Sequence, residues 1–151
     1  MSSGEVRPNR LIRSMATMPP RALEDIARDF LLEMQACVRT VDYERAHALF
    51  AEDVVAFGTL AIVVVGRDRL ERDQWHNVWP TIQDFTFRLT ELHCQGTVEA
   101  VCVIVPWDSV GQGPDGHAFN RPGRATLLLS PRGDRWVATH SHFSLAPTPA
   151  T

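Results

Sequence analysis

Lysine is absent: all 15 basic residues are arginines, set against 18 acidic ones, for a net charge of −3. Exclusive use of arginine reads as the mark of a GC-rich, bacterial genome rather than of chemistry. A mildly acidic chain offers no footprint for nucleic acid or an anionic membrane, so neither is expected as a partner. Long apolar runs are missing too. The longest, Leu60 to Val65, is strand-sized and far short of the ~20 residues that cross a bilayer. The first 20 residues carry Arg7, Arg10 and Arg13 but no apolar stretch of a secretory leader, which makes the cytoplasm the expected compartment. Cysteine is scarce and odd in number. Cys37, Cys94 and Cys102 sit in apolar periodic segments, a pattern of free thiols in a reducing compartment rather than of a disulfide framework. Neither a Gly-x-Ser-x-Gly elbow nor a phosphate-binding Gly-rich loop occurs, so nucleophilic catalysis has no support and no organic cofactor is expected.

What remains is an ordinary globular composition, 44% apolar and 22% charged, over 151 residues, enough for one domain with its own core. Pro8, Asn9, Pro19 and Pro20 mark residues 1–20 as a disordered arm, with Met15 or Met18 as alternative starts to Met1. The domain is expected over 21–147, with 148–151 a tail. Between Arg21 and Val41, apolar residues recur at Leu23, Ile26, Ala27, Phe30, Leu31, Met34, Cys37, Val38 and Val41. These steps of three and four predict a long amphipathic helix laid on something flat. Asp42 is placed to cap a second helix over Tyr43–Ala51. Two short strands, Val54–Phe57 and Ala61–Val65, meet around Gly58-Thr59, and a third helix over Arg67–Trp79 stops at Pro80. The rest reads as strand: Asp84–Cys94, Val98–Trp107, Ala125–Ser130 and Arg135–Ser144, with a polar loop over Ser109–Gly116. Helices followed by hairpin-connected strands define an α+β fold. One bent sheet wrapped on one helix encloses a cone, and a small molecule can sit in its open end.

The last strand carries the densest polar chemistry. With a period of two, Trp136, Ala138, His140, His142 and Ser144 share one face.

Several stretches resemble the SnoaL-like, steroid-isomerase-like and nuclear transport factor 2-like superfamily. They are Leu49-Phe50-Ala51-Glu52-Asp53-Val54, the Gly66-Arg67-Asp68 that opens the third helix, and Gly123-Arg124-Ala125-Thr126 followed by Trp136-x-x-x-His140-x-His142-x-Ser144. The last of these looks like the SnoaL-like subgroup in particular, and the association domain of calmodulin-dependent kinases ends in a similar strand. The resemblance covers roughly Leu23 to Pro147. It implies a cystatin-like cone fold and a homodimer packed through the outer face of the sheet. It does not imply one activity, because the superfamily holds isomerases, dehydratases, cyclases, hydrolases and structural modules. Steroid isomerases place their general-base Asp five residues after the position of Asp53; here that position is Gly58. Their oxyanion-hole Tyr falls near Met34, and the single tyrosine, Tyr43, lies in another helix. Base and donors are both missing at those positions.

Two readings follow. In the first, the protein is a cofactor-free enzyme of isomerase, dehydratase or cyclase type. His140 is then the acid/base, His142 and Asp108 orient it, and Arg124 stabilises an oxyanion. Trp75, Trp79, His76, Trp107 and Trp136 line the ligand site. In the second, it is a non-catalytic ligand-binding or oligomerisation module. A His140/His142 chelate completed by His76 or Asp108 is a weaker third reading, and no metal is expected.

Overall fold

The structure is a computed structural model and describes residues 18–149. Most of the expected N-terminal arm and the last two residues of the tail lie outside that range. Helix α1, Pro20–Thr40, opens on a proline, which loses nothing where the first helical N–H groups have no partner. Its stripe of Leu23, Ala27, Phe30, Leu31, Met34, Cys37 and Val38 is buried as the periodicity requires. Val41 closes it in the left-handed region at φ 53°, letting the Asp42 N–H reach back to the Cys37 carbonyl at 2.9 Å. The Asp42 side chain then caps α2, Tyr43–His47, by accepting from the Arg45 N–H at 3.0 Å.

Helix α2 is shorter than the pattern indicated. Phe50 and Ala51 belong to strand β1, Phe50–Phe57, because Leu49, Phe50, Val54 and Ala56 all find burial in an extended chain against α1. Strand β2 is only Val64–Val65. The third helical stretch begins as α3, Arg67–Leu70, widens into a π-helical turn over Glu71–Trp75, and continues as α4, His76–Val78. Strands β3 (Gln83–Phe87) and β4 (His93–Gly96) replace the single strand expected from Asp84 to Cys94, a 3₁₀ turn over Leu89–Glu91 separating them. Strand β5 runs from Val101 to Gln112, so the first half of the expected 109–116 loop is strand, returning through β6, Ala118–Asn120. The last two strands are β7, Gly123–Arg132, and β8, Arg135–Leu145.

The strand order is β2-β1-β8-β7-β5-β3, with β4 and β6 also paired to β5; β1 and β8 run parallel and every other pair is antiparallel. The concave face buries Val101, Val103, Val105, Trp107, Leu127 and Leu129 against α1. This is a cystatin-like α+β cone.

One irregularity decides what faces the cone. Leu129 pairs with Ala138 but Leu128 pairs with His140, leaving Thr139 as an extra residue in β8. Such a bulge reverses which side the later residues take. Ala138 is buried before it, and after it the inward set is Ser141 and Phe143. His140, His142 and Ser144 therefore stand on the outer face, correcting the expectation that Trp136 to Ser144 present one continuous face.

Candidate functional site

The open end of the cone holds a narrow cavity of about 40 Å³. Helices α1 and α4 contribute Met34, Val38 and Val78; Trp75 and Trp79 come from the adjoining π and 3₁₀ turns. Their rings stack with centroids 4.7 Å apart. The sheet contributes Phe50, Phe85, Trp107, Ser141 and Phe143, and the 58–59 turn supplies Gly58 and Thr59. Trp107 lies across β7 so closely that a Cβ on Gly123 would meet its Cζ2 at 2.0 Å. Only glycine admits the ring there, which explains the Gly123-Arg124 pair that stood out in the sequence.

The π turn leaves the consecutive Gln74 and Trp75 both buried and both on the cavity wall. Gln74 pins the opposite turn. Its Oε1 accepts from the N–H groups of Leu60 (3.0 Å) and Ala61 (2.8 Å), and its Nε2 donates to Thr59 Oγ1 at 2.9 Å. Gly58, which the family resemblance matches to the isomerase-base position, also lines the cavity.

Among the described residues, Arg121 is the only charged one on this wall. No pattern in the sequence singles it out, because an arginine between Asn120 and Pro122 reads as loop. Two backbone-linked contacts to β5 fix it: its N–H donates to the Ser109 carbonyl at 2.8 Å, and Ser109 Oγ donates to the Arg121 carbonyl at 2.8 Å. The guanidinium lies 5.5 Å from the Trp107 ring centroid and donates to Thr59 Oγ1 at 3.1 Å. Burial disfavours its charged form and lowers its pKa.

Of the residues nominated from sequence, Trp75, Trp79 and Trp107 line the cone; the others do not reach it. Asp108 points away on β5, where Arg88 grips both its oxygens at 2.7 Å. That hydrogen-bonded cation holds the Asp108 carboxyl below the usual carboxylate range. Asp108 thus orients neither histidine. His140 Nδ1 bonds the Val55 carbonyl at 2.7 Å, and the Phe57 ring meets both His140 and His142 edge-on. Arg124 donates to Ser144 Oγ at 3.2 Å and shares an outer-face groove with His142, Glu91 and His93. His76 and His47 flank Glu71 at 3.2 and 2.7 Å on the helical side, with Tyr43 against the His76 ring. Trp136 packs partly buried against the core without lining the cone. The sequence-nominated set is therefore divided between two faces of the sheet and a helix surface. Among the described residues, no cluster of three metal-ligating side chains occurs, and no helix is long and apolar enough to cross a membrane.

A family model for the SnoaL-like domain matches residues 27–149, and the chain belongs to that family. Solved structures carry the same fold at low identity. A ketosteroid isomerase-like protein from Erwinia carotovora atroseptica is 16% identical, covers 82% of this chain and 96% of its own, and superposes with a TM-score of 0.70. A protein of the NTF2-like family from Streptomyces avermitilis, provisionally named a dehydratase, is 16% identical over 86% of this chain and 100% of its own, at 0.71. The association domain of C. elegans CaMKII is 20% identical over 83% and 97%, at 0.63. No match was found among curated proteins.

Proposed function

We propose that this protein binds a small, flat, mainly apolar organic molecule in the cone, as a binding module rather than as an acid/base catalyst. One observation carries this reading: among the described residues the cavity wall is built mainly from aromatic rings and aliphatic side chains, and its one charged group is a guanidinium. An acid/base step needs an imidazole, carboxylate or similar group within hydrogen-bond reach of the reacting atom. Among the described residues, the lining offers only hydroxyls, an amide already engaged in three hydrogen bonds, and Arg121. Burial of one aromatic ring of about 150–200 Å² contributes on the order of 4–5 kcal/mol before the costs of association. Titration with 2-naphthamide, followed by calorimetry and tryptophan fluorescence, tests the reading directly. Saturable binding that quenches the Trp75/Trp79 pair supports it; no binding at millimolar probe sinks it.

A second reading, self-association, rests on the outer face of the sheet. Val55, Ile104 and Leu128 are each more than a third exposed there, beside His140 and His142. An apolar sheet face of this kind is suited to a second copy of the chain. Sedimentation should give a dimer that Ile104→Arg converts to monomer; a monomeric wild type removes this reading and leaves the cone untouched.

A further inference from the structure

We propose that the cone's ligand carries a single carboxylate, bound by the guanidinium of Arg121 while its apolar body lies among the aromatic rings. The proposal rests on the ligand-binding reading above and adds the chemistry of the ligand's polar end.

The cavity wall leaves several hydrogen-bond donors open, and the Ser141 hydroxyl can donate or accept. Thr59 Oγ1 already accepts twice, from Gln74 Nε2 at 2.9 Å and Arg121 Nη2 at 3.1 Å, so its own hydrogen is free to donate. Gln74 Oε1 is saturated by two backbone N–H groups. Trp107 is 1% exposed, and its indole Nε1–H has no acceptor among the described residues. A buried donor without a partner is costly, and this one belongs to a residue of the cavity wall beside Arg121. Arg121 itself uses few of its five N–H groups: the bond to Thr59 and a long 3.5 Å contact to Ser109 Oγ. No carboxylate among the described residues pairs with it.

Arg88, by contrast, is met by both Asp108 and Glu91. A half-buried guanidinium held over Trp107 with its fork open is instead arranged for an anion supplied from outside. One cation favours a monoanion. A phosphate dianion would leave a charge uncompensated in an apolar cavity. The aromatic and aliphatic wall of the cavity takes the remainder of the molecule.

The test compares 2-naphthoate with its neutral isostere 2-naphthamide on the full chain by calorimetry. Wild type should prefer the carboxylate by about tenfold or more, the margin of a charge-assisted over a neutral hydrogen bond. In Arg121→Met the preference should disappear while 2-naphthamide still binds, showing that the cavity is intact. Arg121→Gln removes the charge but keeps a donor for Thr59, and it should lose the preference as well, which covers the case where methionine disturbs the fold. Equal affinity of wild type for the two probes overturns the carboxylate and leaves the binding reading standing. A preference that survives in both variants overturns the role of Arg121. Failure of both probes to bind overturns this proposal together with the reading beneath it.

Discussion

A Cβ placed on Gly58 would lie 2.3 Å from Oε1 of Gln74. The two residues fit only because one has no side chain and the other holds the turn beyond it. The position where steroid isomerases keep their base is therefore not merely vacated in this chain. It is closed by an amide that anchors the Thr59–Ala61 backbone and, through Thr59, the Arg121 guanidinium.

Gly58→Ala should consequently destabilise the protein by about 1–3 kcal/mol, the usual cost of forcing atoms into a filled site. Urea denaturation with an unchanged m-value would register it. Gly58→Asp should be at least as damaging and should yield no proton-abstracting activity, since the carboxylate would have to displace Gln74.

Gln74→Met keeps the volume and removes the amide. The Leu60 and Ala61 N–H groups then lose their acceptor, at about 1–3 kcal/mol if they stay buried. Hydrogen exchange at those two amides should accelerate well before exchange in β5 or β7. Uniform acceleration over the whole sheet would instead mean that Gln74 acts on global stability alone.

His140→Ala and His142→Ala should leave 2-naphthamide affinity within about twofold of wild type, as expected for side chains separated from the site by the sheet. A larger loss, measured by calorimetry on folded variants, would place the imidazoles in the ligand site after all.

The Arg88–Asp108 pair sets a pH dependence with a definite sign. The folded state holds the Asp108 carboxyl below its ordinary value because the Arg88 hydrogen bonds favour the anion. The stability it adds is present above the unfolded pKa of about 3.9 and is lost as pH falls through the lower folded value. Asp108→Asn should therefore melt slightly below wild type at pH 7, and the two should converge in strong acid. The difference is small because both side chains are substantially exposed.

Cys37 is fully buried, and burial pushes its thiol pKa up. Labelling with iodoacetamide at pH 8 should be slow in the native protein and fast in urea. Cys94 and Cys102 stand opposite Val103 and Gln95 on neighbouring strands, with Cys94 on the side of the buried Val103 and Cys102 on the other. A disulfide between them is not expected, and both should remain countable as thiols.

Much of the fold was legible because burial imposes a period. The α1 stripe, the Asp42 cap and the alternation in β5 and β7 each report which side of an element meets the core. The site was legible only in part. Trp75 and Trp79 share a helical spacing that brought them to the cavity, but Arg121 depends on pairing with Ser109 across a hairpin that no local pattern encodes. The bulge at Thr139 was invisible for a simpler reason. Threonine suits a regular strand as well as a bulged one, so nothing in Val137-Ala138-Thr139-His140 announces that the alternation restarts.

That bulge also makes the division between the two faces insensitive to the loss of the residue that causes it. Deleting the codon for Thr139 would remove the extra residue yet leave His140 opposite Leu128 and Ser141 opposite Leu127, so both imidazoles would stay outside. Only a strand that paired Thr139 with Leu128 would turn His140 and His142 inward, and every pairing from Leu128 to Gly123 would then shift by one. The side chains that suit a reaction chamber and those that line an aromatic cavity are kept apart by register rather than by any one residue.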